Sequence, residues 1–279
     1  MGSAQERYST KILAVDAGGH DGRDLVVLNN GSSNQLYSSG LGMRADISDG
    51  NGNENADTAD GVAVDFDGDG WRDLYIVNDG QPNELHLFTG IENSAFPGGI
   101  EPEYTDFSSL GGDATDQTIS GGRARGVVAL DCNMDGNMDL FVVNYEEPNQ
   151  LFIRSATFAE SAMGATPSFT EHMKGATNPP AILADPSPSH GALAFDADGD
   201  GIEDILVLNG ISARNELWIN DGSCNFELHD NFKDLQQGEQ LEYYSYPDSR
   251  GALALDADGD GHQDIFVLNY GGRSELFLK

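Results

Sequence analysis

Residues 65–78 read DFDGDGWRDLYIVN. The first nine set carboxylates at positions 1, 3, 5 and 9 (Asp65, Asp67, Asp69, Asp73) around a glycine at position 6, Gly70. Calcium takes six to eight hard oxygen ligands at roughly 2.3–2.6 Å, and this spacing predicts a loop that wraps one, with the backbone carbonyl of Trp71 at position 7 as a further ligand. An EF-hand would need Glu at position 12 and a helix on each side. Position 12 is Ile76, and LYIVN reads as a buried, β-branched strand. The stretch is therefore a calcium loop joined to a strand.

Three more copies follow: DCNMDGNMDLFVVN at 131–144, DADGDGIEDILVLN at 196–209 and DADGDGHQDIFVLN at 256–269. The expected ligands are Asp131, Asn133, Asp135, Asn137 and Asp139; then Asp196, Asp198, Asp200, Ile202 and Asp204; then Asp256, Asp258, Asp260, His262 and Asp264, position 7 again giving its carbonyl. One Asp/Gly segment would be explained as a turn, since both residues favour turns on their own. Four in register, each running into the same strand, point to calcium. A further copy at 16–29, DAGGHDGRDLVVLN, keeps Asp16 and Asp24 but has Gly18 and His20 at positions 3 and 5. The segment DGNGNENAD offers Asp49, Asn51, Asn53 and Asp57 with Glu54 at the turn position, where a solvated polar loop is the competing reading. Ca2+ is the expected cofactor, at four sites and at most six.

The chain has 279 residues, 47 of them Asp or Glu against 14 Lys or Arg, a net charge of −33. Such a surface repels nucleic-acid phosphates and anionic membranes over a Debye length of roughly 10 Å, so neither is expected as a partner. No run of eighteen apolar residues is present, so no membrane insertion is expected. The start, MGSAQERYST, lacks a hydrophobic signal core and is expected to be what remains after a secretion signal is removed. Cys132 and Cys224 are the only cysteines; two unpaired thiols are the default, a bridge the alternative. Loops of this type stay mostly empty at cytosolic calcium, which predicts an extracellular or cell-surface location.

The leading Asp residues recur at 16, 65, 131, 196 and 256, a repeat too short to bury its own hydrophobic face. Each unit orders an alternating strand (GVAVD 61–65, GVVALD 126–131, GALAFD 191–196, GALALD 251–256), the Asp loop and the apolar strand. A third strand then begins with N-x-L or S-x-L (NQLY 34–37, NELHLF 83–88, NQLFI 149–153, NELWI 215–219, SELFL 274–278), and a weaker fourth follows (EYTDF 103–107, SFTEHM 168–173, FELHD 226–230). Four antiparallel strands per unit predict an all-β fold, a β-propeller of five four-stranded blades in one domain, 1–279. The last unit stops after its third strand at Lys279, and residues Gln5 to Thr10 are expected to supply the fourth and close the ring. An excised part of a larger propeller is the rival.

GRARGVVALDCNMDGNMDLFVVNYEEPNQLFI at 122–153, with its partners, resembles the FG-GAP/VCBS repeat family, the calcium-loop propellers of integrin α-chains and of secreted cartilage-acidic-protein-like and bacterial proteins. The resemblance covers nearly the whole chain and implies propeller and calcium. The fold hosts adhesion, lectins and accessory domains of enzymes alike, so activity has to be read from a site.

For catalysis a nucleophile or acid/base group must sit in a pocket beside its helpers. The sequence carries no G-x-S-x-G, no H-E-x-x-H and no Cys/His pair at metal spacing. A non-catalytic binding module for an extracellular glycan or protein is the expected class. A self-assembling protein joined by strand exchange and a polysaccharide-active enzyme remain the alternatives. The residues just before each inner strand, Lys11, Asp60, Arg125, His190 and Arg250, line up by sequence. They form a candidate ligand ring suited to an acidic group, with local salt bridging as the bland alternative. Trp71, Trp218 and Tyr243, Tyr244 and Tyr246 could stack on sugars or be packed between blades.

Overall fold

The computed structural model describes residues 8–15, 24–37, 44–47, 57–92, 101–106, 122–154, 167–173, 176–177, 179–211, 213–229 and 248–279. The strands form five antiparallel sheets. The first joins β1 (Tyr8–Val15), β2 (Asp24–Asn30), β3 (Gln35–Tyr37) and β4 (Arg44–Asp46). The second joins β5 (Thr58–Val64), β6 (Asp73–Asn78), β7 (Glu84–Glu92) and β8 (Glu101–Asp106), and the third β9 (Ala124–Leu130), β10 (Asp139–Asn144), β11 (Gln150–Arg154) and β12 (Phe169–Glu171). After a short helix α1 (Ala181–Ala184) come β13 (Ser189–Phe195), β14 (Asp204–Asn209), β15 (Glu216–Asn220) and β16 (Phe226–Leu228), then β17 (Asp248–Leu255), β18 (Asp264–Tyr270) and β19 (Glu275–Phe277). The repeated hairpins thus have the order expected from the sequence. Among the described residues no helix is long and apolar enough to cross a membrane.

Every residue of β6, β10 and β14 is buried. Burial on both faces explains why LYIVN, LFVVN and ILVLN are continuous apolar runs rather than alternating ones. The chain divides into two compact units, Met1–Ala124 with Phe152–Thr170, and Arg125–Leu151 with Glu171–Lys279. In the first, Leu13, Val26, Leu28 and Leu36 of one sheet pack with Leu74, Ile76 and Phe88 of the next. In the second, Phe195, Leu206, Leu208 and Leu217 pack with Ile265, Val267 and Phe277. Each such side chain contributes about 1.5–3 kcal/mol when fully buried. Inner strands approach closely where glycine allows it: a Cβ on Gly126 of β9 would lie 2.7 Å from the Cα of Gly191 on β13.

Two expectations need correction. Among the described residues the last sheet has three strands, and Tyr8–Thr10 are not its fourth, while Gln5, Glu6 and Arg7 of the expected closing segment lie outside the described residues. Tyr8–Thr10 open β1 and pair within their own sheet, Tyr8 opposite Asn30 and Ser9 opposite Asn29. The cysteines are not free thiols: Cys132 and Cys224 form a disulfide. Cys132 follows the first Asp of its loop and Cys224 lies in the β15–β16 turn.

Candidate functional site

The Asp loops close the hairpin between each inner strand and the apolar strand. Val64 pairs with Asp73, Phe195 with Asp204 and Leu255 with Asp264, so the loop's last residue is the first rung of the next strand. Backbone N–H groups hold the carboxylates in one repeated pattern. In the 65–73 loop, Gly68 N and Gly70 N donate to Asp65 (2.7 and 2.9 Å), Asp69 N to Asp67 (3.1 Å) and Trp71 N to Asp69 (2.8 Å). The 196–204 loop repeats this from Gly199, Gly201, Asp200 and Ile202, and the 256–264 loop from Gly259, Gly261, Asp260 and His262. In the 131–139 loop Asp135 N and Gly136 N donate to Asp131, and Asn137 N to Asp135. The turn needs left-handed backbone at positions 4 and 6, supplied by Gly68 (φ 77°) and Gly70 (φ 93°).

Carboxylate oxygens of Asp65, Asp67 and Asp73 lie within 4.8 Å of one another, as do those of Asp196, Asp198 and Asp204, and of Asp256, Asp258 and Asp260. In the 65–73 loop this crowding shows in the acidities. Burial, with the charges of Asp67 and Asp69, pushes Asp73 up to about 7 against hydrogen bonds from Phe88 N and Phe66 N. Burial, then the charges of Asp69 and Asp65, pushes Asp67 up to about 6. Burial also raises Asp204. The donors are hard oxygens pre-arranged by the backbone, a set that fits Ca2+.

Position 9 has a second role that spacing alone did not reveal. Asp73 accepts from Phe66 N (2.6 Å) with one oxygen and Phe88 N (2.9 Å) with the other. Asp204 accepts likewise from Ala197 N and Asn220 N, and Asp264 from Ala257 N and Lys279 N. Each clamps its loop to the end of the third strand. Asp24, the same position in the incomplete first loop, is also buried, while Asp16, Gly18 and His20 lie outside the described residues. So do Asp49, Asn51 and Asn53; Asp57 forms a bridge with Asn30. The cluster Cys132, Asp139 and Cys224 offers no thiolate, its sulfurs being bonded to each other.

The five residues taken as a ring do not share one position. β-bulges shift the register between Ser189 and Gly191, between Ser249 and Gly251, between Ser9 and Lys11 and between Thr58 and Asp60. His190 and Arg250 therefore correspond to Thr10 and Ala59, while Lys11 and Asp60 correspond to Gly191 and Gly251. In blade two the glycine, Gly61, stands one residue nearer the Asp loop than Gly191 does, so matching on glycine sets Asp60 beside His190, while in blade one Lys11 itself holds the position of Gly191. Lys11 Nζ and Asp60 Oδ1 pair with each other at 2.5 Å.

In the second unit the remaining three join a basic, aromatic strip at the hairpin end opposite the Asp loops. The Arg125 guanidinium lies 5.5 Å from the Tyr145 ring centre, and Arg250 lies 5.7 Å from that of Tyr270. Tyr145 and His190 rings are 5.3 Å apart, and Arg250 Nη1 donates to His190 Nδ1 at 3.4 Å. Asp248, buried, accepts from Arg250 Nη2 at 2.5 Å; His190 Nε2 faces its other oxygen at 3.1 Å, off the line of a hydrogen bond. His190 sits over Gly210, where a Cβ would come within 2.6 Å of Nε2. Burial, then Arg250, lowers the His190 pKa, with Asp248 opposing and Arg125 adding, so the ring stays neutral below its ordinary range.

Tyr145 and Tyr270, each following the Asn that ends its strand, were missed; that shared offset is the signal that could have found them. Trp71 packs on Phe88 (5.3 Å between rings), and Trp218 is buried with Nε1 donating to Glu216, so both are packed rather than offered to a ligand. Tyr243, Tyr244 and Tyr246 lie outside the described residues.

Among solved structures the chain is similar to a lectin of Agrocybe aegerita described for recognition of non-reducing terminal N-acetylglucosamine, at 15% identity and TM-score 0.52 over 99% of this chain. It is also similar to the V. cholerae biofilm matrix protein Bap1, at 16% identity and TM-score 0.42 over 92%. It spans 66% and 34% of those chains, and the first likeness bears on the fold alone. No curated protein sequence matches. The FG-GAP-like repeat model matches 65–142 and 196–267, just over half of the residues. Those segments open on Asp65 and Asp196 and enclose all four complete Asp loops with their clamping ninth residues, and the chain accordingly belongs to the FG-GAP-like repeat family.

Proposed function

We propose that this chain is a calcium-stabilised, non-catalytic β-propeller module that binds a glycan or protein ligand outside the cell. The observation that carries it is the polarity of the hairpins. Their loop ends gather carboxylates in a backbone-held cage, and their opposite ends in the second unit carry arginine, histidine and tyrosine. Calcium would be held by Asp65, Asp67, Asp69 and Asp73 and by the matching sets at 131–139, 196–204 and 256–264, where it supplies the charge that lets crowded carboxylates coexist.

Catalysis has little to work with in the strip. Nδ1 of His190 accepts from Arg250, and Nε2 lies 3.1 Å from the buried Asp248 carboxylate, a packed setting that suits a buttress rather than a proton carrier. The Cys132–Cys224 bridge fits an oxidising exterior. The fold shared with a lectin fits a binding role.

Five-blade closure belongs to the same proposal. Leu268 and Leu276 of the last sheet, 50% and 49% exposed, hold the positions that Leu208 and Leu217 bury in the sheet before. In the first sheet Leu25 and Tyr37, 42% and 40% exposed, hold the positions of the buried Ile265 and Phe277. These are the two halves of the interface repeated inside each unit. A monomer by light scattering in which Leu268→Cys and Leu25→Cys cross-link within one chain would support closure; a cross-linked dimer would support assembly between chains.

Melting with and without EDTA tests the calcium reading. A site that binds only the folded state adds about 2.7 kcal/mol at a hundredfold excess over Kd, so four should raise Tm by well over 10 °C. Asp258→Ala should remove more of this shift than Asn133→Ala, a neutral ligand. A melt indifferent to EDTA sinks the reading.

A further inference from the structure

Arg125, His190 and Arg250 occupy successive inner strands, β9, β13 and β17, and the contacts described run unbroken from Arg125 through Tyr145, His190 and Arg250 to Tyr270. Two features make the Arg250 end a place where something can dock. The Arg250 side chain is 48% exposed, and Tyr270 is 72% exposed. Arg250 is also rigidly aimed: Asp248 takes Nη2, His190 takes Nη1, and the guanidinium lies against the Tyr270 ring, so little rotamer freedom is left to lose on binding.

Arg125 and Arg250 set two guanidinium groups along one strip of a chain whose net charge is −33. A surrounding field of that sign opposes dense polyanions and acidic protein surfaces, which must bring many charges close. It opposes far less a chain with one carboxylate per ring. A guanidinium meets a carboxylate with two parallel hydrogen bonds, and an exposed tyrosine beside it accepts the apolar C–H face of a pyranose. Both needs are met together by a uronic acid residue.

Resting on the binding-module reading above, we propose that this strip is the ligand site and that its ligand is an acidic glycan, with Arg250 gripping a hexuronate carboxylate, Tyr270 stacking on that sugar ring, and Tyr145 with Arg125 continuing the track for the next residues.

The test is calorimetric titration of the calcium-loaded full chain with a glucuronate tetrasaccharide, its methyl ester and a glutamate peptide of equal charge. The acid should bind, and the ester at least tenfold more weakly. Tyr270→Ala, an exposed position whose loss leaves the fold intact, and Arg250→Lys, which keeps the charge but not the fork, should each weaken the acid tenfold or more. Glu227→Gln, exposed on β16 and outside both the strip and the Asp loops, should change the affinity little. Equal affinity for acid and ester, no binding of the acid, or binding unmoved by both strip variants overturns the proposal, as does binding of the glutamate peptide alone. A neutral glycan or protein ligand that binds irrespective of Tyr270 and Arg250 would leave the module reading standing while this site falls. Failure of an array of glycans and extracellular proteins to yield any ligand would remove both.

Discussion

Asn215 of β15's leading turn donates through Nδ2 to Ser249 Oγ on the next sheet's inner strand at 2.9 Å, and Ser249 Oγ donates onward to Asn269 Oδ1 at 2.8 Å. Asn215 also accepts from Asn209 N (2.8 Å), at the end of its own apolar strand. One side chain thus closes its own turn and ties its sheet to the next. The first unit repeats the chain: Asn34 accepts from Asn29 N and donates to Thr58 Oγ1, which donates to Asn78 Oδ1. In these two places the Asn that ends the apolar strand and the Asn that opens the N-x-L element are two parts of one polar link, with Ser249 or Thr58 at the head of the next inner strand as the third; Asn83 and Asn149 donate instead to Tyr75 Oη and the Ile182 carbonyl.

Asn215→Ala should cost about 1–3 kcal/mol, because Asn209 N–H loses its acceptor in a buried place and Ser249 loses a donor. Asn34→Ala should cost a similar amount. Urea unfolding with calcium held constant reads both, and a loss below about 0.5 kcal/mol would show the link to be ornamental.

The Asp loops, the strand order and the apolar runs were legible because each is local: a nine-residue spacing, a period, a turn residue. The polar link was not, since Asn215 and Ser249 are joined only once two hairpins pack. The strip was half legible. Arg125, His190 and Arg250 could be singled out, but Lys11 and Asp60 stand one position on, past a bulge that β1, β5, β13 and β17 share, and a one-residue offset in short strands leaves no mark in the sequence pattern. The Cys132–Cys224 bridge, between residues 92 apart, needed the third and fourth hairpins side by side.

That bridge should be a principal support of the second unit. Cross-linking a loop of this length removes about 4–5 kcal/mol of unfolded-state entropy in the simplest model. Cys132→Ala with Cys224→Ala should lower Tm by about 10 °C, and reductant should lower the wild-type Tm without moving that of the double variant. Equal melts for wild type and double variant in non-reducing buffer would contradict this.

Met134 carries φ 58° where the other complete loops have Gly68, Gly199 and Gly259 at 77°, 90° and 82°. A left-handed non-glycine residue costs about 1–2 kcal/mol, part of which glycine returns through a freer unfolded chain. Met134 is 62% exposed, so little burial is lost on replacing it. Met134→Gly should stabilise by about 0.5–1 kcal/mol, and Gly68→Met, the reverse change in the second hairpin, should destabilise. Chemical denaturation in saturating calcium checks the pair; a loss of stability in Met134→Gly would mean that its side chain matters to the loop in a way its exposure conceals.

His190 contributes to the pH response of the second unit. Burial and the neighbouring Arg250 and Arg125 hold its pKa below the ordinary 6.5, with Asp248 only partly offsetting them. The unfolded chain therefore takes up a proton at a higher pH than the folded one does. Stability contributed by the neutral ring is fully present above the unfolded value and is lost as pH falls from there towards the lowered folded value. The slope in that window approaches, and for one proton cannot exceed, about 1.4 kcal/mol per pH unit. Other groups titrate nearby, so the quantity to measure is the difference in unfolding free energy between wild type and His190→Asn, in saturating calcium, between pH 7.5 and 5. That difference should shrink as pH falls, since the variant has no ring to protonate. If it grows instead, protonated His190 is stabilised by Asp248 more than it is opposed by the two arginines, and the strip carries a further positive charge at acid pH.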